Sequence, residues 1–294
     1  MTVSEDLEFA HQLADAADAI SVRLFTDPDI GHEKKSDGTP VTLADRQVEA
    51  TLRNLVAEHR QGEGFLGEES GRSGPQQRRW IVDAIDGTAS FIAGDLGWGT
   101  LIALEDNGVV TVGVASSPPL GKRWWANTGA GAWEGSLPPS SPSHPERLIV
   151  STQSSAATAQ VRVWPPPDQL PSQWRACVAA LVEVFPAEPS LPKSLQRSGI
   201  HQSTTSKRPG FTNGALLVAS GVLDASVFFG GGPWDVAARA IICQEAGGRY
   251  TDLWGGSRLD TQTAIVTNGL IHDQLLAALS KTRPEAPIPP DLDR

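Results

Sequence analysis

Trp80-Ile81-Val82-Asp83-Ala84-Ile85-Asp86-Gly87-Thr88 sets an apolar run directly against two acids, a glycine and a threonine. A short apolar run ending in carboxylates reads as a strand that delivers them at its C-terminal end. Phe65-Leu66-Gly67 ahead of Glu68-Glu69 repeats the pattern. Far downstream, the glycine run Gly230 to Gly232 leads through Pro233-Trp234 into a helix expected to start around Asp235 and to end at Gly247-Gly248. Hard divalent cations such as magnesium take oxygen ligands in near-octahedral geometry, and shared carboxylates with substrate phosphate and water can supply them. If Asp83 bridges two such ions, Glu68 can complete one position and Asp86 with Asp235 the other. The amides of Gly87 and Thr88, at the start of a turn, would point at a phosphate oxygen.

Outward from this stretch the elements alternate between helical and extended patterns. Leu7, Ala10, Leu13, Ala14, Ala17, Ile20 and Leu24 recur at three- and four-residue spacing and predict an amphipathic helix. Lys35 to Pro40 carries turn chemistry, and Thr42-Leu43-Ala44-Asp45 has the form that opens a second helix, reaching about His59 and burying Leu52, Leu55 and Val56. Strands are expected at Thr100 to Glu105 and Val109 to Ala115, around an Asp106-Asn107-Gly108 hairpin turn. Prolines among serines from Pro138 to Pro145 suggest a boundary near residues 137 to 147, dividing the chain into 1–145 and 146–282. In the second part Asn213 to Val222 reads as helix, Asp224 to Phe229 and Ala264 to Thr267 as strands, and Leu270 to Leu279 as a closing helix. The tail 283–294, rich in proline and charge, reads as disordered.

With 294 residues, 39% of them hydrophobic, the chain can bury a sizeable core. A formal charge of -10 provides no basic field for nucleic acid or an anionic membrane, so a phosphorylated substrate needs local cations. Cys177 and Cys243 sit in apolar helical contexts with no second Cys or His nearby, which reads as two buried reduced thiols rather than zinc or disulfide chemistry. Neither a signal peptide nor an eighteen-residue apolar stretch is visible, so a cytoplasmic protein is expected.

Each acid also has an ordinary structural explanation. Asp86-Gly87 is a common turn, Glu68-Glu69 a common solvated pair, and Asp235 and Asp45 could simply serve helix N-termini. The joint pattern decides between these readings. Trp80 to Phe91, Trp234 to Ala238 with Glu245 to Gly248, Gly67 to Glu69, and Ser36 to Asp45 together resemble the signatures of the inositol-monophosphatase-like family of lithium-sensitive phosphatases. The resemblance covers roughly residues 5 to 280, and four motifs stand in the right order. It implies an α+β fold of α-β-α-β-α layers, magnesium as cofactor at two or three ions per site, and a homodimer. It further implies that Glu68, Asp83 and the Ile85 carbonyl hold one ion, and that Asp83, Asp86 and Asp235 hold a second. Thr88, hydrogen-bonded to Asp45, would orient and deprotonate a water for in-line attack on phosphorus. Ala84 and Ser90 depart from the usual Pro and Asn, and both changes spare ligand positions.

Segments such as Trp98 to Leu104, Gly121 to Ala126 and Gly247 to Asp252 look like the histidinol-phosphatase branch of that family, although the favoured reading is framework, with Trp124-Trp125 a strand pair packed in the core, so they report ancestry better than substrate. Two departures bear on substrate. Phe228 stands where inositol-specific enzymes place an acid, and Lys207 to Phe211 lacks the carboxylate usual in the histidinol branch. The expected substrate is therefore a small phosphorylated metabolite, histidinol phosphate or a similar ring-bearing phosphate, with Gly87, Thr88 and Phe228 contacting it and Trp98 a candidate second aromatic. The alternatives are the same chemistry on an inositol, sugar, nucleotide or pathway-specific phosphate, or a non-catalytic binding protein. Retention of so many mutually repelling acids argues against the last.

Overall fold

Thr42 opens the second helix as its sequence predicts. Its Oγ1 accepts from the amides of Ala44 at 3.0 Å and Asp45 at 3.4 Å, while Asp45 Oδ2 accepts from the Thr42 amide at 2.8 Å. The computed structural model describes residues 4–25, 30–35, 38–137, 144–186 and 214–285. The segment Lys207 to Phe211, Asn213 and most of the expected disordered tail lie outside the described residues.

The first helix, α1 (Glu5–Phe25), buries the apolar stripe from Leu7 to Leu24, and α2 (Leu43–His59) buries Val48, Leu52 and Val56. A two-stranded ribbon, β1 (His32–Lys34) with β2 (Pro40–Thr42), joins them. An eight-stranded sheet follows: β3 (Gly64–Gly67), β4 (Gly71–Ser73), β5 (Arg78–Asp86), β6 (Gly99–Asp106), β7 (Val109–Ser117), β8 (Lys122–Asn127), β9 (Ala132–Ser136) and β10 (Glu146–Arg147). Their spatial order is β10-β9-β8-β7-β6-β5-β3-β4, with β3 and β5 parallel and the other pairs antiparallel. Between β6 and β7, Asn107 and Gly108 take φ of 52° and 79°, the left-handed pair that a two-residue hairpin turn requires. A short helix, α3 (Thr88–Ala93), follows β5.

A four-stranded sheet, β11 (Val161–Trp164), β12 (Ala225–Phe229), β13 (Arg249–Thr251) and β14 (Thr263–Thr267), is ordered β11-β12-β14-β13. Around it stand α4 (Ser172–Val184), α5 (Gly214–Ala219), α6 (Pro233–Glu245) and α7 (His272–Ser280). The helix expected up to Val222 stops at Ala219, ahead of a turn in which Gly221 adopts φ 72°. The later helix begins at Pro233, which makes Asp235 its third residue.

Three cores alternate with the sheets. Leu7, Leu13, Leu52, Trp80, Val82 and Ile102 pack α1 and α2 onto one face of the large sheet. Ile81, Leu101, Ala115, Leu216, Ile241 and Val266 fill the space between its other face, α5 with α6, and the small sheet. Trp174, Cys177, Val227, Ile265 and Leu275 pack α4 and α7 on the far side of the small sheet. The result is the expected α+β stack of five layers, α-β-α-β-α. Each fully buried Leu, Ile or Val in these layers contributes about 1.5–3 kcal/mol against exposure, which is why helix and strand apolar faces dictate the stacking. Both cysteines are buried free thiols, Cys177 on α4 and Cys243 on α6. No helix among the described residues is long and apolar enough to cross a membrane.

Candidate metal and phosphate site

Side chains along β5 alternate between the two cores, Trp80, Val82 and Ala84 toward α1 and α2 and Ile81 toward α6. By that alternation Asp83 faces α6, and Asp86, three residues on, would face away from it. The pairing with β6 corrects this. Asp83 pairs with Leu101 but Asp86 pairs with Gly99, so β5 carries one extra residue between them, a bulge. The inserted residue turns Asp86 back to the Asp83 side. From α6, in the adjacent layer, Asp235 meets them, and one ligand oxygen of each of Asp83, Asp86 and Asp235 lies within 4.8 Å of the others.

Asp235, Glu68 and Asp45 are each held by a local device. Asp235 Oδ2 accepts from the Gly232 amide at 2.7 Å, so the capping role suggested by its helix position is real and leaves Oδ1 for other partners. Gly231 takes φ 70°, and a Cβ there would come within 2.8 Å of Asp235 Cγ and 2.9 Å of Phe228 Cε1. Glycine is thus required both by conformation and by the close approach of that carboxylate. On the other flank, Glu49 of α2 accepts from the amides of Glu69 at 2.8 Å and Ser70 at 2.7 Å and fixes the turn that carries Glu68. Glu49 can approach because Gly67 has no Cβ, which would stand 2.6 Å from Glu49 Oε2. Glu68 itself is engaged by Lys35 at 2.7 Å, and Lys35 also pairs with Glu69. Thr88 Oγ1 lies 3.0 Å from both Asp45 Oδ1 and the Ile85 carbonyl oxygen, and its single proton can serve one of them at a time. Asp45 therefore does both things its sequence allowed, capping α2 through one oxygen and accepting from Thr88 through the other. The Gly87 and Thr88 amides make no hydrogen bond among the described residues.

The electrostatics are those of an under-neutralised cluster. Burial first, then repulsion from Glu68, Asp86, Asp235 and Asp45, pushes the Asp83 carboxyl well above the usual carboxylate range. Burial, Glu68 and Asp86 together push Asp235 up to about 7. Burial also raises Asp45, against hydrogen bonds from Thr42 and Thr88 that pull it down. Desolvation pulls Lys35 down, but Glu68 and Glu69 outweigh it and hold the ammonium charged. Asp83 Oδ1 is fully buried with no hydrogen-bond partner. A buried carboxyl oxygen without a donor, inside an all-oxygen donor set, is the arrangement a hard divalent cation fits.

The expected residues thus separate into groups. Asp83, Asp86 and Asp235 converge, Thr88 joins Asp45, and Glu68 is drawn toward Lys35. Phe228 lines a small cavity of about 30 Å³ beside Asp235. Trp98 is not its companion. That indole is 1% exposed and packs against Phe25 and Phe91 at centroid distances of 5.1 and 4.9 Å, inside the first core. The ring beside Phe228 is Trp164, its register partner across the parallel β11–β12 pair, and Arg162 lines the same cavity. Trp124 and Trp125 pack on opposite faces of β8, the first buried among the α6-side residues and the second against the α1 core. Two cations at the acids went unread in the sequence, Lys35 and Arg239. Arg239 donates through Nη2 to Asp86 Oδ2 and through Nη1 to the Asp235 carbonyl oxygen at 2.8 Å. The signal for it was present, since a lone arginine inside Val236-Ala237-Ala238-Arg239-Ala240-Ile241-Ile242, one turn after an acid, is rarely buried without a carboxylate partner.

Known proteins share both sequence and architecture with this chain. The model of the inositol monophosphatase family matches residues 2–285. A histidinol-phosphatase of Mycobacterium tuberculosis is 37% identical over 278 residues, covering 94% of this chain and 98% of its own length. A histidinol-phosphatase of Streptomyces coelicolor is 33% identical over 289 residues, with 94% and 97% covered. The crystal structure of the extragenic suppressor protein SuhB from Bartonella henselae superposes with a TM-score of 0.76 at 26% identity, covering 95% of this chain and 99% of that one. The family match across residues 2–285 and these relatives, together with the layered fold, show that the chain belongs to the inositol monophosphatase family and is a metal-dependent phosphoric monoester hydrolase acting on a small phosphate.

Proposed function

We propose that this enzyme hydrolyses a small ring-bearing phosphomonoester, histidinol phosphate foremost, with magnesium as its cation. The observation that carries the reading is the convergence of Asp83, Asp86 and Asp235 around the partnerless Asp83 Oδ1, beside the Thr88–Asp45 pair. Glu68, Asp83 and the Ile85 carbonyl would hold one ion, and Asp83, Asp86 and Asp235 a second. Divalent cations bound there supply Lewis acidity, lowering the pKa of a coordinated water and neutralising charge on the phosphate and leaving-group oxygens. Thr88 Oγ1, donating to Asp45 Oδ1, keeps its lone pairs for a water proton and so orients that water toward phosphorus. Asp45, buried and with a raised pKa, is the acceptor at the end of this hydrogen-bond chain. Gly87 and Thr88 present two amides to the phosphate.

The histidinol-phosphatase relatives and the aromatic pair Phe228 and Trp164 support the ring-bearing substrate. The cavity is too small to take a ring inside, so a ring would lie across its mouth, against Phe228. Inositol phosphates would lose water from hydroxyls that find no acceptor at Phe228, a penalty of about 1–3 kcal/mol per unpaired group. The two buried free thiols fit a reducing cytoplasm, and a homodimer is the state carried over from the family resemblance. The same reading divides the chain near residue 145, with β3 to β9 of the large sheet before that point, the short edge strand β10 just after it, and Asp235 delivered from the second part. A steady-state comparison of histidinol phosphate, a nucleoside 5′-monophosphate, inositol 1-phosphate and a simple sugar phosphate, each with Mg2+ and with EDTA, tests it. Ring-bearing esters should lead inositol 1-phosphate by about tenfold or more in kcat/KM, equivalent to about 1.4 kcal/mol. Undiminished turnover in EDTA after verified metal removal refutes the metal assignment, and a lead for inositol 1-phosphate refutes the reading of Phe228.

A further inference from the structure

Arg239 stands one helical turn after Asp235 on α6, and its guanidinium is bound to both elements that bring the acids together. One nitrogen pairs with the Asp86 carboxylate delivered by β5, and another donates to the carbonyl of Asp235 on its own helix. Lys35 faces the opposite flank, at Glu68 and Glu69. The chain therefore supplies its own cation on each side of Asp83.

The two cations differ in how readily they can leave. Lys35 carries a point charge on a flexible stem, its side chain is 19% exposed, and solvent can receive the ammonium when a metal ion claims Glu68. Arg239 has a side chain only 6% exposed and a planar fork fixed by two acceptors, one of them a carbonyl within its own helix. Withdrawing it from Asp86 would strand a charge in the interior between two packed layers. An ion arriving at Asp86 and Asp235 must share Asp86 with a positive charge that stays.

We infer that Arg239 is a resident competitor for the cation on the Asp86 side, a positioning residue that sets how tightly that ion binds while leaving the Glu68 side untouched. The inference rests on the proposed ligand sets. It acts through two physical terms of the same sign. The guanidinium occupies Asp86 Oδ2, leaving one oxygen of that carboxylate for a metal, and its charge repels a dication at close range in a buried, weakly screened site.

Equilibrium binding of Mn2+ to the demetallated full chain, read by the electron paramagnetic resonance signal of the free ion, tests this without substrate. Wild type, Arg239→Gln and Arg239→Lys are compared. Arg239→Gln keeps donors for Asp86 and Asp235 but removes the charge, so its weaker Mn2+ class should tighten at least roughly tenfold, about 1.4 kcal/mol, with the tighter class unchanged. Arg239→Lys keeps the charge and should stay near wild type. If Arg239→Gln fails to fold, Arg239→Met, which is neutral, unbranched and suited to a buried site, carries the same expectation. An Arg239→Gln isotherm equal to wild type, equal tightening in Gln and Lys, or loss of an ion in Gln each overturns the inference. Asp83→Asn separates this from the parent reading. It should lose both classes, and if it keeps both, the proposed ligand sets are wrong whatever Arg239 does.

Discussion

Replacing Asp83 by Asn should stabilise the metal-free protein while destroying the enzyme. The carboxylate is 2% exposed, faces Glu68, Asp86, Asp235 and Asp45, and has an oxygen with no donor. Its pKa is raised in the fold, so its favourable contribution is complete below the unfolded value and is lost as pH rises from about 4 through the folded value. The penalty has a ceiling. At pH 7 the group can always take up a proton, and for a carboxyl with an ordinary pKa near 3.9 that costs about 4 kcal/mol. A buried unsatisfied polar group sets the floor at about 1 kcal/mol. In EDTA at pH 7, Asp83→Asn should therefore gain about 1–4 kcal/mol, with a melting temperature raised by roughly 2–4 °C for each kcal/mol. The gain should shrink toward zero near pH 4. With Mg2+ at about a hundred times its dissociation constant, wild type recovers about 2.7 kcal/mol that the variant cannot, so the order of stabilities narrows or inverts. Turnover should fall by roughly a thousandfold or more, about 4 kcal/mol of transition-state stabilisation, because both proposed ions lose a ligand. Thermal melts with and without Mg2+ at pH 5 and pH 7, beside steady-state rates, measure all of this. A variant less stable than wild type in EDTA at pH 7, or one keeping more than about a tenth of wild-type turnover, refutes the reasoning.

Thr88→Ala should lower turnover by about a hundredfold or more while metal affinity, measured by titration, stays nearly constant, because the hydroxyl orients water and Asp45 keeps its Thr42 partners. Equal damage to metal binding would contradict that role. Gly231→Ala forces a left-handed φ on alanine, at about 1–2 kcal/mol, and presses a methyl against Asp235 Cγ and Phe228, so both melting temperature and affinity for the second ion should drop. Unchanged values for both would show that the turn relaxes at no consequence to Asp235. Millimolar lithium should inhibit turnover, an expectation carried over from the family resemblance, and insensitivity would place the altered chemistry at the Asp86 side.

Much of the molecule was legible before any coordinates. Thr42 and Asp45 announced the cap of α2, and Asn107-Gly108 announced the β6–β7 hairpin, because both depend on groups within a few residues of each other. The site acids were legible for a different reason, since their motifs carry residue types that ordinary folding has no use for in such density. The helix before β12 was overextended because a run of apolar residues does not reveal where a left-handed glycine will end it.

What the sequence by itself determined about this protein is its class, the candidate acids, the threonine and its acid, and the order of the elements with clear apolar patterns, α1, α2, β3, β5, β6, β7, β12, α6, β14 and α7. Only the tertiary structure decided how these meet. Asp83 and Asp86 are three residues apart and would face opposite cores on a regular strand, and one bulged residue, fixed by pairing with β6, turns both toward α6. Trp164 rather than Trp98 stands beside Phe228 because β11 and β12 pair in parallel across a separation of 64 residues. Arg239 becomes a cation of the site because α6 packs against the large sheet and brings it to a carboxylate 153 positions away. Local chemistry is written in neighbouring residues, whereas register between strands and the stacking of layers follow from burying all the apolar faces at once.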